Sequence, residues 1–133
     1  SGLICPIMDA RRNQVYTGIY RFEEKFETVK EQLAEDITVL AGMLNELGER
    51  VVFLGDGVPV YREKIEETVK VPYVFAPPHM CRQSAAAVGA LGLVYAKEGK
   101  TEHARDHKPD YLRMSQAERE RLEREKEQQH DCP

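Results

Sequence analysis

Between Leu3 and Phe22 the chain joins a nearly unbroken apolar run, Leu3-Ile4-Cys5-Pro6-Ile7-Met8, to a β-rich run, Val15-Tyr16-Thr17-Gly18-Ile19-Tyr20, through the short polar link Asp9 to Gln14. Two such runs separated by a few turn-forming residues read as a β-hairpin. A lone hairpin is at best marginal in water, so this one must seed a larger sheet. The first run barely alternates, the pattern of a strand covered on both faces, and this places it centrally. Pro6 has no N–H to donate and belongs near the strand's beginning or where a ladder bond is missing. In the second run Val15, Thr17 and Ile19 face one way and Tyr16, Gly18 and Tyr20 the other, with Asn13 as a natural turn residue before them.

Downstream, Phe26 to Leu33 reads as a third strand at the sheet edge, its rim protected by Lys30 and Glu31. Asp36 is a plausible N-cap for a helix whose apolar positions Ile37, Leu40, Ala41, Leu44 and Leu47 recur every three or four residues and stop at Gly48. Val51-Val52-Phe53-Leu54 is a buried strand ending in the turn Gly55-Asp56-Gly57. A second helix carries Tyr61, Ile65 and Val69 on one stripe, and Tyr73 to Ala76 forms the next strand, closed by Pro77-Pro78. Ser84 to Lys97 is an alanine-rich helix stopped by Gly99, in which Gly89 and Gly92 would let the backbone approach the sheet closely. The order β-β-β-α-β-α-β-α predicts an α/β fold: a mixed sheet, antiparallel at the start and parallel afterwards, with helices on both faces. This is the order of a ribonuclease H-like domain.

The length of 133 residues suits one domain with a tail, which we place at residues 1–113 and 114–133. From Ser115 onward Glu and Arg interleave with Leu122 as the one large apolar residue, so the tail has no face to bury and is predicted to be helical or disordered. A formal net charge of -4 gives no overall attraction to nucleic acid or an anionic membrane, though a local basic patch is compatible with it. Cys5, Cys81 and Cys132 are odd in number and far apart, which argues against a disulfide framework. No run approaches a membrane span and no basic flank leads into a signal-like segment, so the expected location is cytoplasmic. The opening Ser1-Gly2 suggests a tag remnant ahead of a fragment of a longer protein.

Four groups of residues could carry chemistry. Asp9, Arg11 and Arg12 stand at a strand end, where an acid can bind a cation and arginines can hold phosphate or carboxylate; the plainer reading is an Asp capping the turn beside solvated or acid-paired arginines. Gly55-Asp56-Gly57 lies at a strand-to-helix handover, where backbone N–H groups can cradle phosphate, but Asp56 would repel an anion and a tight turn is favoured. His103 and His107 have the i, i+4 spacing of helical metal ligands, and His79 with Cys81 forms a second short cluster, yet neither pair has a third ligand nearby. No nucleophile motif accompanies them, and no cofactor is predicted.

Taken together, Pro6-Ile7-Met8-Asp9-Ala10-Arg11 to Val15-Tyr16, the Gly55-Asp56-Gly57 turn and the ending Pro109-Asp110-Tyr111-Leu112-Arg113 resemble the TsaB (YeaZ) branch of the glycoprotease-like family. Ser115-Gln116-Ala117-Glu118-Arg119 looks like the tail common in its Firmicutes members. The resemblance covers nearly the whole chain but only the C-terminal half of the family's protein. It implies a subdomain of the actin/Hsp70-like (ASKHA) superfamily. It also implies a noncatalytic scaffold that, with the partners TsaD and TsaE, helps install threonylcarbamoyladenosine beside the anticodon, meeting tRNA only through the complex. Arg11 and Arg12 are then candidate partner contacts. Two alternatives within the superfamily are a nucleotide-binding enzyme half using Asp9 and Gly55 to Gly57, and a glycoprotease-type metallopeptidase. The sequence does not choose between a monomer and a homodimer.

Overall fold

A computed structural model describes residues 2–130, and side chains as far as Lys126. Because the link after the first strand is short, β1 (Leu3–Asp9) and β2 (Gln14–Phe22) pair antiparallel, and β3 (Phe26–Asp36) pairs with β2 the same way. The next two strands, β4 (Val51–Leu54) and β5 (Tyr73–Phe75), each follow a helix and so return parallel. The sheet order is β3-β2-β1-β4-β5, with β1 in the centre and β3 at the edge, as the patterning predicts.

The two crossover helices are α1 (Ile37–Leu47) and α2 (Gly57–Thr68). Asp36 caps α1, its Oδ1 accepting from the Thr38 N–H at 2.8 Å, and Gly48 ends it in the left-handed conformation at φ 69°. Leu3, Cys5 and Ile7 of β1, Val15 and Ile19 of β2, and Val51 and Phe53 of β4 form one buried core with Leu40 and Leu44 of α1 and Ile65 of α2. These strand positions alternate, so one face of the sheet meets α1 and α2 while Pro6, Met8, Tyr16 and Leu54 line a groove on the other.

Pro6 sits inside β1, where the ladder to β2 has no partner registered for Cys5 or Pro6 and β2 has a register irregularity around Ile19. The missing N–H is thus accommodated by a local break, and the Thr17 hydroxyl donates to the Pro6 carbonyl at 2.8 Å.

One element differs from what periodicity predicts, and the tail takes one of the two forms expected of it. Helix α3 (Ala85–Lys97) forms, with the Ser84 hydroxyl accepting from the Ala87 N–H at 3.3 Å, but none of its residues is buried. Gly89 and Gly92 make no close approach: apart from the helix's own backbone and the adjoining residues, no described atom lies within 4 Å of where a Cβ would stand at either. Local propensity and a cap are enough to set the helix, while its docking depends on a surface that the described residues do not supply. Residues Gln116–His130 form a helix, α4, closed at its start by a capping box. The Ser115 N–H donates to Glu118 Oε2 at 2.9 Å and the Glu118 N–H to Ser115 Oγ at 3.3 Å. That Ser-x-x-Glu signal stands in the sequence, and the charge density around it hid it.

Candidate functional site

The link between β1 and β2 is a strained turn. Arg11, Arg12 and Asn13 all have left-handed backbones, at φ 65°, 54° and 64°. Such conformations cost on the order of 1–3 kcal/mol each in non-glycine residues and persist only where the surroundings fix them. Here the fixing is visible. Asp9 Oδ1 accepts from the Arg11 N–H at 2.8 Å, Gln14 N–H donates to Arg11 O at 3.0 Å, and Ala10 N–H donates to Gln14 O at 2.9 Å. Asn13 joins the turn to the start of α1, its Nδ2 donating to Asp36 Oδ2 at 3.0 Å and its carbonyl accepting from the Ile37 N–H at 3.0 Å.

Asp9 is therefore a turn-forming acid. The Arg11 N–H and the Tyr61 hydroxyl, at 2.8 Å, both donate to it and hold its carboxyl below the ordinary carboxylate value. Its other charged neighbour, Arg11 Nε, is 4.0 Å away, and the Arg11 side chain is 87% exposed. Tyr61 was legible only as an apolar stripe position. Burial, reinforced by the bond to Asp9, pushes its hydroxyl up to about 12.

Gly55-Asp56-Gly57 packs directly against β1. At Gly55, with φ 99°, a Cβ would lie 2.3 Å from the Ile7 carbonyl oxygen, and at Gly57 one would lie 3.0 Å from the same atom. The glycines serve close backbone approach, and Asp56 Oδ1 accepts from the Asp9 N–H at 3.0 Å.

The structure brings one further residue to the turn that positional reasoning left out. Arg113 Nη1 donates to the Ala10 carbonyl and, at 2.9 Å, to Gln14 Oε1, with its guanidinium 5.8 Å from the Tyr16 ring centroid. Arg12 Nη2 donates to Gln116 Oε1 at the start of α4. The Tyr111-Leu112-Arg113 segment and α4 are tied in this way to the hairpin. Among the described residues, the side-chain hydrogen bond of Arg12 runs to this tail, while Asp9 is tied to Arg11.

The histidines are placed elsewhere. His103 and His107 lie in an irregular segment, so their spacing does not put two rings on a helical face, and His107 Nδ1 pairs with Glu102. His79 falls in a 3-10 turn, Pro78–Met80, with Cys81 next to it. Among the described residues no three His, Cys, Asp or Glu side chains gather as a metal site. Cys132 lies outside the described residues.

No family model matches the chain. It is 32% identical over 129 residues, 94% of its own length, to the tRNA threonylcarbamoyladenosine biosynthesis protein TsaB of Bacillus subtilis. Over nearly all of its own length the chain is similar to TsaB. It spans about half the length of that relative, 53%. A crystal structure of an uncharacterised protein with similarity to peptidase YEAZ from Pseudomonas aeruginosa superposes on 85% of this chain and 50% of its own, with a TM-score of 0.63 and 17% identity. The second likeness shows the fold alone: a mixed five-stranded sheet of the kind found in that structure.

Proposed function

We propose that this chain is the C-terminal domain of a noncatalytic TsaB-like scaffold in the bacterial complex that makes tRNA threonylcarbamoyladenosine, working in the cytoplasm beside TsaD and TsaE. The similarity to TsaB over 94% of the chain carries this reading. Two features of the fold support it. The acid that the sequence offers for chemistry, Asp9, is engaged by a backbone N–H and the Tyr61 hydroxyl, a structural role. Helix α3 is apolar all round yet wholly exposed, with Val88 at 73% and Leu93 at 66%, the surface of an element that packs against another body. The other half of a TsaB-length protein is the natural occupant. No helix among the described residues is long and apolar enough to cross a membrane.

The test is reconstituted tRNA modification with TsaD, TsaE and a TsaB-length protein containing this chain. Modification should depend on that protein, and a rate unchanged by leaving it out would refute the scaffold role.

A further inference from the structure

The turn, the Tyr-Leu-Arg segment and the first turn of α4 enclose a cleft of about 770 Å³ lined by Arg11, Arg12, Arg113, Arg119, Tyr16 and Tyr111. Four arginines and one acid, Glu118, line the cleft; Ser115 engages the Glu118 carboxylate through its N–H and hydroxyl, and Asp9 lies 4.0 Å from Arg11 Nε beside it. Against a chain whose net charge is -4, this is a local reversal of sign. The arginines are also incompletely used. A guanidinium offers five N–H donors, yet among the described residues Arg113 bonds through Nη1 alone and Arg12 through one Nη2 contact. The Nε of Arg119 is buried with no hydrogen-bond partner among the described residues. A buried donor left unpaired costs on the order of 1–3 kcal/mol.

Aromatic surface accompanies the charge. Tyr111 is 84% exposed and Tyr16 lies beneath the Arg113 guanidinium. Guanidiniums that hold phosphate, with tyrosine faces on which an unstacked base can lie, are the chemistry of single-stranded RNA recognition. We propose that this cleft binds the phosphate backbone of a single-stranded or looped RNA segment, with Arg11, Arg12 and Arg119 on phosphate oxygens and Tyr111 against a base. The choice of RNA over other phosphates rests on the tRNA-modification reading; the oxyanion site itself rests on the cleft.

The experiment is fluorescence anisotropy of the 133-residue chain with a labelled single-stranded RNA of about 12 nucleotides, at salt from about 50 to 200 mM. Binding should weaken with salt, and Arg11→Gln/Arg119→Gln should weaken it at least about fivefold and flatten the log–log salt slope by roughly 1.4, about 0.7 per lost phosphate contact. Arg11→Lys/Arg119→Lys, which keeps the charges, should retain most of the slope, separating loss of contact from loss of fold. Arg62→Gln/Arg105→Gln, outside the cleft, should bind as the parent does. Equal weakening by the outside pair, or no measurable RNA binding at the lowest salt, would overturn the proposal. So would displacement of the RNA by millimolar inorganic phosphate or AMP irrespective of RNA length, which would mark a small-phosphate site. This readout contains no TsaD or TsaE, so it can fail while the reconstituted modification succeeds, and the reverse.

Discussion

The hydroxyl of Tyr61, one turn into α2, donates to the carboxylate of Asp9 at the end of β1 across 2.8 Å, and the Gln14 carbonyl lies 3.0 Å from the same oxygen. One proton on a 7% exposed tyrosine thus locks a helix to both ends of the hairpin turn. Tyr61→Phe keeps the ring's packing and removes the donor, leaving a carboxylate and a carbonyl short of a partner. The expected cost is about 1.5–3 kcal/mol, as for hydrogen bonds to charged groups. Urea unfolding checks it, and a loss under about 0.5 kcal/mol would show that water replaces the hydroxyl.

Asp9 and Asp36 anchor the two ends of the turn network, and both carboxyls are held below the ordinary value of 3.8, Asp9 chiefly by the Arg11 N–H and Asp36 chiefly by the Thr38 hydroxyl. A depressed folded value means that the unfolded state takes up protons first. The stability these groups contribute is therefore fully present above about pH 4 and is lost as pH falls through their lower folded values. Urea midpoints measured from about pH 6 downward should drop in this acid window for the parent chain. They should drop less steeply for Asp9→Asn/Asp36→Asn; parallel curves would assign the acid sensitivity to other carboxylates.

Glycines at two positions should respond with opposite sign. Gly55 has φ 99° and a Cβ there would stand 2.3 Å from the Ile7 carbonyl oxygen, in the backbone of the central strand, which cannot withdraw. Gly55→Ala should cost several kcal/mol, roughly 3 or more, through strain and displacement of the turn. Gly42, inside α1, has nothing within 4 Å of the added methyl. Gly42→Ala should stabilise by about 0.5–1 kcal/mol through helix propensity and a less flexible unfolded chain. Thermal unfolding of the two variants side by side decides it.

The sheet was legible because its signals are local. Asp36 and Gly48 bracket α1, the apolar runs of β1 and β4 mark buried strands, and the short link from Asp9 to Gln14 compels an antiparallel pair. The site was legible only in part, since Asp9, Arg11 and Arg12 are neighbours in sequence whereas Tyr61, Arg113 and Arg119 come to the turn from 47 or more residues away. Periodicity records which side of a helix is apolar and is silent about the hydroxyl at a tyrosine's tip. The same limit explains α3: alanines and a serine cap predict a helix correctly, but the partner that would bury Val88 and Leu93 is not encoded in that helix.

Cys5 and Cys81 offer a direct probe of the core. Cys5 is fully buried in β1, and burial pushes its thiol up to about 12, with only a 3.5 Å contact to the Thr17 hydroxyl opposing it. Cys81 is half-buried, beyond β5 at the rim of the sheet. Thiolate is the reactive form, so at about pH 8 Cys5 is protected twice, by access and by ionisation. In a Cys132→Ser background, one thiol should react promptly with an aromatic disulfide reagent and the second only at the rate of opening of the fold, slower by on the order of 100-fold or more. Cys81→Ser should abolish the fast phase. Adding urea should merge the two phases at the concentration where the sheet unfolds, because the strand that holds Cys5 pairs on both edges and cannot open alone. Prompt labelling of both cysteines in the folded chain would show that β1 is not the closed centre of the sheet.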